Sequence, residues 1–260
     1  MKFPSIAIGF LFTAISMTSV AANSPFDGTW KLNQEKSKLA GDTMSFASAG
    51  SGSMRYTDSS ETYTFTTDGK PVVTPFGSTV TWKQSGKDSW ESTYTRNGNL
   101  LATSTWKLSD DGKKLTLESK GTKPNGDHFN DKSEYARTAP GKGLAGSWVS
   151  KEVKLSSPNT LVITTNADGG LTLNISDIKA TVTTKFDGKD YPATGPTVPE
   201  GFTLALTKTG PNSFRMVQKL KGKPLSIGNY QAEADGKTMI EKDTDAAGKE
   251  PSTIVWEKEK

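Results

Sequence analysis

Apolar residues in this chain seldom recur at the i, i+3, i+4 spacing of a helix face. They alternate with polar residues over short runs, seen at Thr62–Thr67, Thr79–Lys83, Ser89–Arg96, Leu101–Leu108 and Lys114–Ser119. The same pattern returns at Thr160–Thr165, Leu171–Ile175, Phe202–Lys208 and Phe214–Leu220. A period of two sends successive side chains to opposite faces of a strand, and the abundant threonine suits a pleated surface with one wet face. Between the runs stand Asn97-Gly98, Asp111-Gly112, Asn125-Gly126, Asp168-Gly169, Asp187-Gly188 and Asp235-Gly236. Such pairs accept positive φ and predict type I′ turns between antiparallel neighbours. Short strands every eight to twelve residues or so describe an up-and-down sheet, and closing that sheet into a barrel removes its edges. One stretch, Gln34–Ala40, reads as a helix, with Asn33 as its cap and Lys36 as a weak capping-box partner. Ala47–Ser53 reads as a flexible loop.

The pattern occurs twice. Phe26–Lys31 is F-D-G-T-W-K and Leu144–Val149 is L-A-G-S-W-V. Each opening is followed by a first D-G-K (Asp68–Lys70, Asp187–Lys189), a second (Asp111–Lys113, Asp235–Lys237) and an aromatic-x-basic ending (Tyr135–Arg137, Trp256–Lys258). Trp30 to Trp148 is a shift of 118 residues, while Trp82, Trp90 and Trp106 fall on Leu206, Phe214 and Tyr230 at one common shift of 124. A repeat of that length is a domain, not a solenoid unit. The chain therefore predicts two tandem all-β barrels of eight to ten strands each, over residues 23–140 and 141–260, joined at the short Ala139–Gly143 junction.

Residues 1–22 are excluded from the fold. Lys2, the apolar Ile6–Met17 and the small residues Ser19–Ala22 have the layout of a secretory signal peptide. Its removal implies a periplasmic or secreted protein with a formal charge of +3 in place of +4. The chain has no cysteine, so no disulfide framework holds either barrel. Basic and acidic residues are interspersed, as at Asp110–Lys114 and Glu241–Asp245, which reads as a solvated mixed surface and argues against a nucleic-acid partner. No other segment is long and apolar enough for membrane insertion.

A G-x-W on the first strand, D-G hairpins and a terminal aromatic-x-basic triplet resemble the calycin group, which contains lipocalins and fatty-acid-binding proteins. More closely, Gly28–Asn33 (G-T-W-K-L-N) and Asp187–Gly195 (D-G-K-D-Y-P-A-T-G) are similar to signatures of a family of exported bacterial proteins. That resemblance implies a fold and no activity. In fatty-acid-binding proteins an arginine two positions before the terminal-strand tyrosine grips the carboxylate. The matching positions here hold Ser133 and Ile254, so that grip is missing.

The G-x-W also has a direct physical reading. A tryptophan on the first strand closes one end of a small barrel, and glycine lets a neighbour approach. A cation from the last strand then lies over the indole, with Arg137 expected on Trp30 and Lys258 on Trp148. These four residues are structural plugs. Lumen-lining candidates are Trp82, Trp90, Trp106, Tyr191, Phe214 and Tyr230. The single histidine, His128, follows a turn and reads as solvent-exposed. One histidine and no cysteine leave no metal site, and no cofactor or catalytic group is expected. The acids sit at hairpins, where turn geometry accounts for them. The expected function is non-catalytic binding of a small apolar or amphipathic ligand, the alternative a structural or protein-interaction module of the cell envelope.

Overall fold

The computed structural model describes residues 24–249 and 251–260, so the signal-peptide segment lies outside the described residues. From the N-terminus the strands are β1 (Gly28–Leu32), β2 (Thr43–Gly50), β3 (Ser53–Asp58), β4 (Thr62–Phe65) and β5 (Val72–Val73). Next come β6 (Thr79–Gly86), β7 (Ser89–Arg96), β8 (Asn99–Leu108), β9 (Lys114–Thr122) and β10 (His128–Ala139). The second repeat supplies β11 (Gly146–Lys154), β12 (Thr160–Thr165), β13 (Leu171–Ile175), β14 (Ala180–Thr184) and β15 (Tyr191–Pro192). It ends with β16 (Phe202–Gly210), β17 (Ser213–Leu220), β18 (Lys223–Ala232), β19 (Thr238–Asp245) and β20 (Ser252–Lys258). The strands form two antiparallel ten-stranded sheets, each rolled into a nearly closed barrel. Among the described residues, no helix is long and apolar enough to cross a membrane.

Sheet membership does not follow the two repeats. The first barrel runs β4-β3-β2-β11-β10-β9-β8-β7-β6-β5, and the second runs β14-β13-β12-β1-β20-β19-β18-β17-β16-β15. Each G-x-W strand occupies the barrel of the other repeat: β11 sits between β10 and β2, and β1 sits between β20 and β12. The boundaries 23–140 and 141–260 thus divide the repeats but not the sheets. The first barrel is the continuous segment Thr43–Lys154, inserted between β1 and the remainder of the second. The junction length explains this. Only Pro140–Ala145 separate β10 from β11, so β11 turns back on β10 as a hairpin and fills the slot that β1 would take. The equivalent slot between β20 and β12 then receives β1.

Two further expectations fail locally. Gln34–Ala40 is not a helix: Asn33 Oδ1 accepts from the Lys36 N–H at 3.0 Å in a single turn. The segment then runs beside β20 through a Lys38–Thr253 bridge, because it must carry the chain from one barrel to the other. Ala47–Ser53 is no loose loop but the tip of the β2–β3 hairpin, with Ser51 and Gly52 at φ of 50° and 76°. That pair and Asn97-Gly98 (50° and 76°) adopt the double positive φ of type I′ turns. In the Asp-Gly turns only the glycine is positive, and the aspartate instead accepts from the N–H two residues on, at 3.0 Å in Asp111 and 2.7 Å in Asp235. Asp68-Gly69 and Asp187-Gly188 do not join neighbouring strands. They lie where the two edges of each sheet meet, with Gly69 N–H donating to Trp82 O at 2.8 Å and Gly188 N–H to Leu206 O at 2.9 Å.

Candidate functional site

One end of each barrel is closed by its tryptophan. Trp30 and Trp148 are both fully buried, and their Nε1–H groups donate to Phe26 O (2.7 Å) and Leu144 O (3.0 Å). The cations are paired the other way from the sequence expectation. Arg137 lies 4.1 Å from the Trp148 ring and Lys258 Nζ 4.7 Å from the Trp30 ring, because each last strand pairs with the exchanged first strand. Gly146 and Gly28, at φ of 134° and 136°, make room: a Cβ there would meet Arg137 Nη1 at 2.6 Å and Lys258 Cε at 3.0 Å. Arg137 also donates to the carbonyls of Gly112, Gly143 and Ala145, which fastens the junction to the barrel end.

The first barrel is packed with rings. Phe46 meets Tyr56, Phe65, Trp82 and Trp106 edge-on at centroid distances of 5.3–6.3 Å, and Phe65 stacks on Trp82 at 4.5 Å. Their polar atoms are satisfied within the lumen, Trp106 Nε1–H on Ser92 Oγ (2.9 Å) and Tyr63 Oη against Tyr94 Oη (2.5 Å). At the equivalent registers of the second barrel, Phe46, Tyr56, Tyr63, Phe65 and Trp82 become Ile163, Leu173, Val182, Thr184 and Leu206. Five rings are replaced by smaller side chains on an unchanged backbone plan. Two of these replacements, Leu173 and Val182, line a cavity of about 1020 Å³ that runs from the second barrel to the hairpins of the first.

Apolar side chains dominate its wall, among them Leu173, Val182, Leu204, Phe214 and Met216. Its mouth is framed by the 3₁₀ turn Ser176–Ile178 and by two hairpins of the first barrel, through Leu100 and Lys123. Leu100 (51% exposed) and Ile178 (37% exposed) are two of the three large hydrophobic residues exposed among the described residues, and both lie at this opening. Lys123 bridges to the buried Asp177 at 3.4 Å and donates to Ser157 O at 2.6 Å, which ties the β9–β10 turn to the second barrel.

Two carboxyl groups face the cavity from β19. Glu241 is 4% exposed and accepts from Tyr230 Oη at 2.5 Å and from Trp256 Nε1–H at 2.8 Å. Burial pushes its carboxyl up to about 7, against the opposing pull of those two hydrogen bonds. Asp243, two residues on and so on the same face, is raised to about 6, again by burial first. Its Oδ1 is buried without a hydrogen-bond partner among the described residues. The corresponding positions of the first barrel are Leu117 and Ser119, so the acids and the cavity occur together in one barrel only.

Of the six lumen candidates, Phe214 and Tyr230 line the cavity, stacked on each other at 4.6 Å. Trp82, Trp90 and Trp106 are buried in the filled barrel. Tyr191 packs at the seam of the second barrel with its hydroxyl on Asp187 at 3.0 Å. His128 is exposed, its Nδ1 2.9 Å from Thr122 Oγ1. Glu241 and Asp243 escaped the sequence reading because Glu241–Asp245 looked like mixed surface charge. Met239, Glu241 and Asp243 do alternate, however, and the shift of 124 sets Glu241 against Leu117. No protein-family model matches the chain and no curated protein is similar to it, which leaves the geometry of the second barrel as the guide to its chemistry.

Proposed function

We propose that this chain is an exported, non-catalytic binding protein of calycin-like build that holds one small apolar or amphipathic ligand in its second barrel. The observation that carries this reading is the contrast between two barrels of one plan, one filled with rings and the other opening into a cavity of about 1020 Å³ that hairpins of the first barrel help to wall. A volume of that size takes a ligand with a substantial apolar body. The first barrel, its lumen packed with rings, supports the second reading, a structural module, for its own half of the chain.

Native mass spectrometry of protein purified from its own envelope tests the proposal, together with uptake of a fluorescent lipid probe. A bound mass, and probe uptake lost when the cavity-lining Val182 is changed to Tyr, are the expected results. A bare chain with no probe uptake would sink the binding reading and leave the structural one.

A further inference from the structure

The polar groups inside the second barrel narrow the chemistry of what it holds, provided the binding reading above is correct. Among the described residues, neither Glu241 nor Asp243 has an ion-pair partner. Three cations stand at the mouth of the cavity, Arg96, Lys123 and the exposed Lys179, and none of them is paired with either acid. Arg96 donates to Thr197 O and, at 2.7 Å, to Ser78 Oγ, while Lys123 is held by Asp177 and Ser157. The other polar side chains around the acids are Gln218, Tyr230, Ser252 and Asp42, whose charge helps to raise Asp243, and none of them is positively charged.

A purely structural role leaves the arrangement unexplained. The first barrel closes the same register with Leu117 and Ser119, the serine satisfied by Ser104 Oγ at 2.7 Å. A fold that needed only to be filled had that solution at hand. The second barrel instead buries a carboxyl oxygen of Asp243 without a donor, at a cost of about 1–3 kcal/mol for an unsatisfied buried polar group. The carboxyl is otherwise held by the Thr244 N–H, and no cation among the described residues offsets its charge.

We propose that the second barrel binds an amphiphile whose head group is a cationic amine, its ammonium set against Asp243 and Glu241 and its apolar body along Leu173, Val182, Phe214 and Met216. The ammonium supplies the counter-charge that neither acid has among the described residues. A fatty acid entering head-first would bring a third carboxyl against two others.

Three amphiphiles of one chain length separate the possibilities: dodecylamine, dodecanol and dodecanoate, titrated calorimetrically into the whole protein. The amine is expected to bind roughly tenfold more tightly than the alcohol, the worth of one well-placed charge pair at about 1.4 kcal/mol, and the acid most weakly. Asp243→Asn should erase the advantage of the amine while leaving the alcohol's affinity unchanged, which a loss of folding would not do. Equal binding of amine and alcohol, or an amine preference that survives Asp243→Asn, overturns the head-group assignment and leaves the binding reading standing. Tightest binding by dodecanoate also overturns it, and would place a carboxylate outward at the rim that Lys179 and Arg96 form. If none of the three binds, both readings fall together.

Discussion

At the scale of single residues, the exchange of β1 and β11 changes which barrel each tryptophan supports. Trp30→Ala should destabilise the second barrel and Trp148→Ala the first, each by about 3–5 kcal/mol, the range for deleting a buried aromatic ring. Hydrogen exchange resolves the two: Trp30→Ala should lose protection in β12–β14 and β16–β20 while β6–β10 keep theirs. The opposite pattern would contradict the exchanged topology. Arg137→Ala should cost more than Lys258→Ala, since Arg137 adds three carbonyl contacts to its place over the ring. Glu241 carries a pH dependence whose sign is fixed. Its ordinary value is near 4.5 and burial raises it to about 7, so between those pH values the folded chain holds a proton that the unfolded chain has released. Stability therefore falls as pH rises through that window and levels off above it. Glu241→Gln should remove most of the fall and raise stability at pH 8 by a few kcal/mol at most, read from denaturant unfolding at pH 5 and pH 8. A shallower slope between about pH 4 and 6 should remain, from Asp243, which is raised in the same direction.

Among the elements, β1 is the strand on which the second barrel depends most. It reaches β20 across most of the chain, and the Lys36–Glu257 contact at 2.6 Å fastens the crossover beside it. The first barrel lies within one unbroken segment, and its G-x-W slot is already filled by β11. A fragment of residues 42–155 should therefore fold alone, with near-native circular dichroism and a cooperative melt. A fragment of residues 156–260 should not, because β12 and β20 would expose two unpaired edges and the core would lack Trp30. Adding a peptide of residues 24–40 to that fragment should restore the melt. Independent folding of 156–260 without the peptide would show that the slot is dispensable. The strand runs and the repeat were legible in the chain because alternation and turn residues are local properties. The apparent helix at Gln34–Ala40 misled for the same reason: a capped turn is locally like a helix start, and only the distance the chain must cross draws it out.

For the whole molecule, the decisive contrast is between a filled and an open barrel. Restoring rings to the second lumen should close it. Leu173→Tyr with Val182→Tyr, the rings that Tyr56 and Tyr63 supply to the first barrel, should abolish probe uptake without lowering the melting temperature by more than a few degrees, since both positions line the cavity and the added rings enter existing space. A variant that still takes up the probe would show that the cavity is not the binding site. The amino-acid sequence by itself determined the all-β class, the duplication, the turn positions and the burial of Trp30 and Trp148, all of which follow from patterns within a few residues or from comparing one repeat with the other. Tertiary structure alone decided which barrel each G-x-W strand completes. Both strands carry the same pattern and fit either slot, so their placement depends on a junction too short to let β11 leave β10. It likewise decided that the rings of one lumen are missing from the other and that Glu241 and Asp243 face the space they leave, because a lumen is shared by ten strands and its emptiness is written in no single one of them.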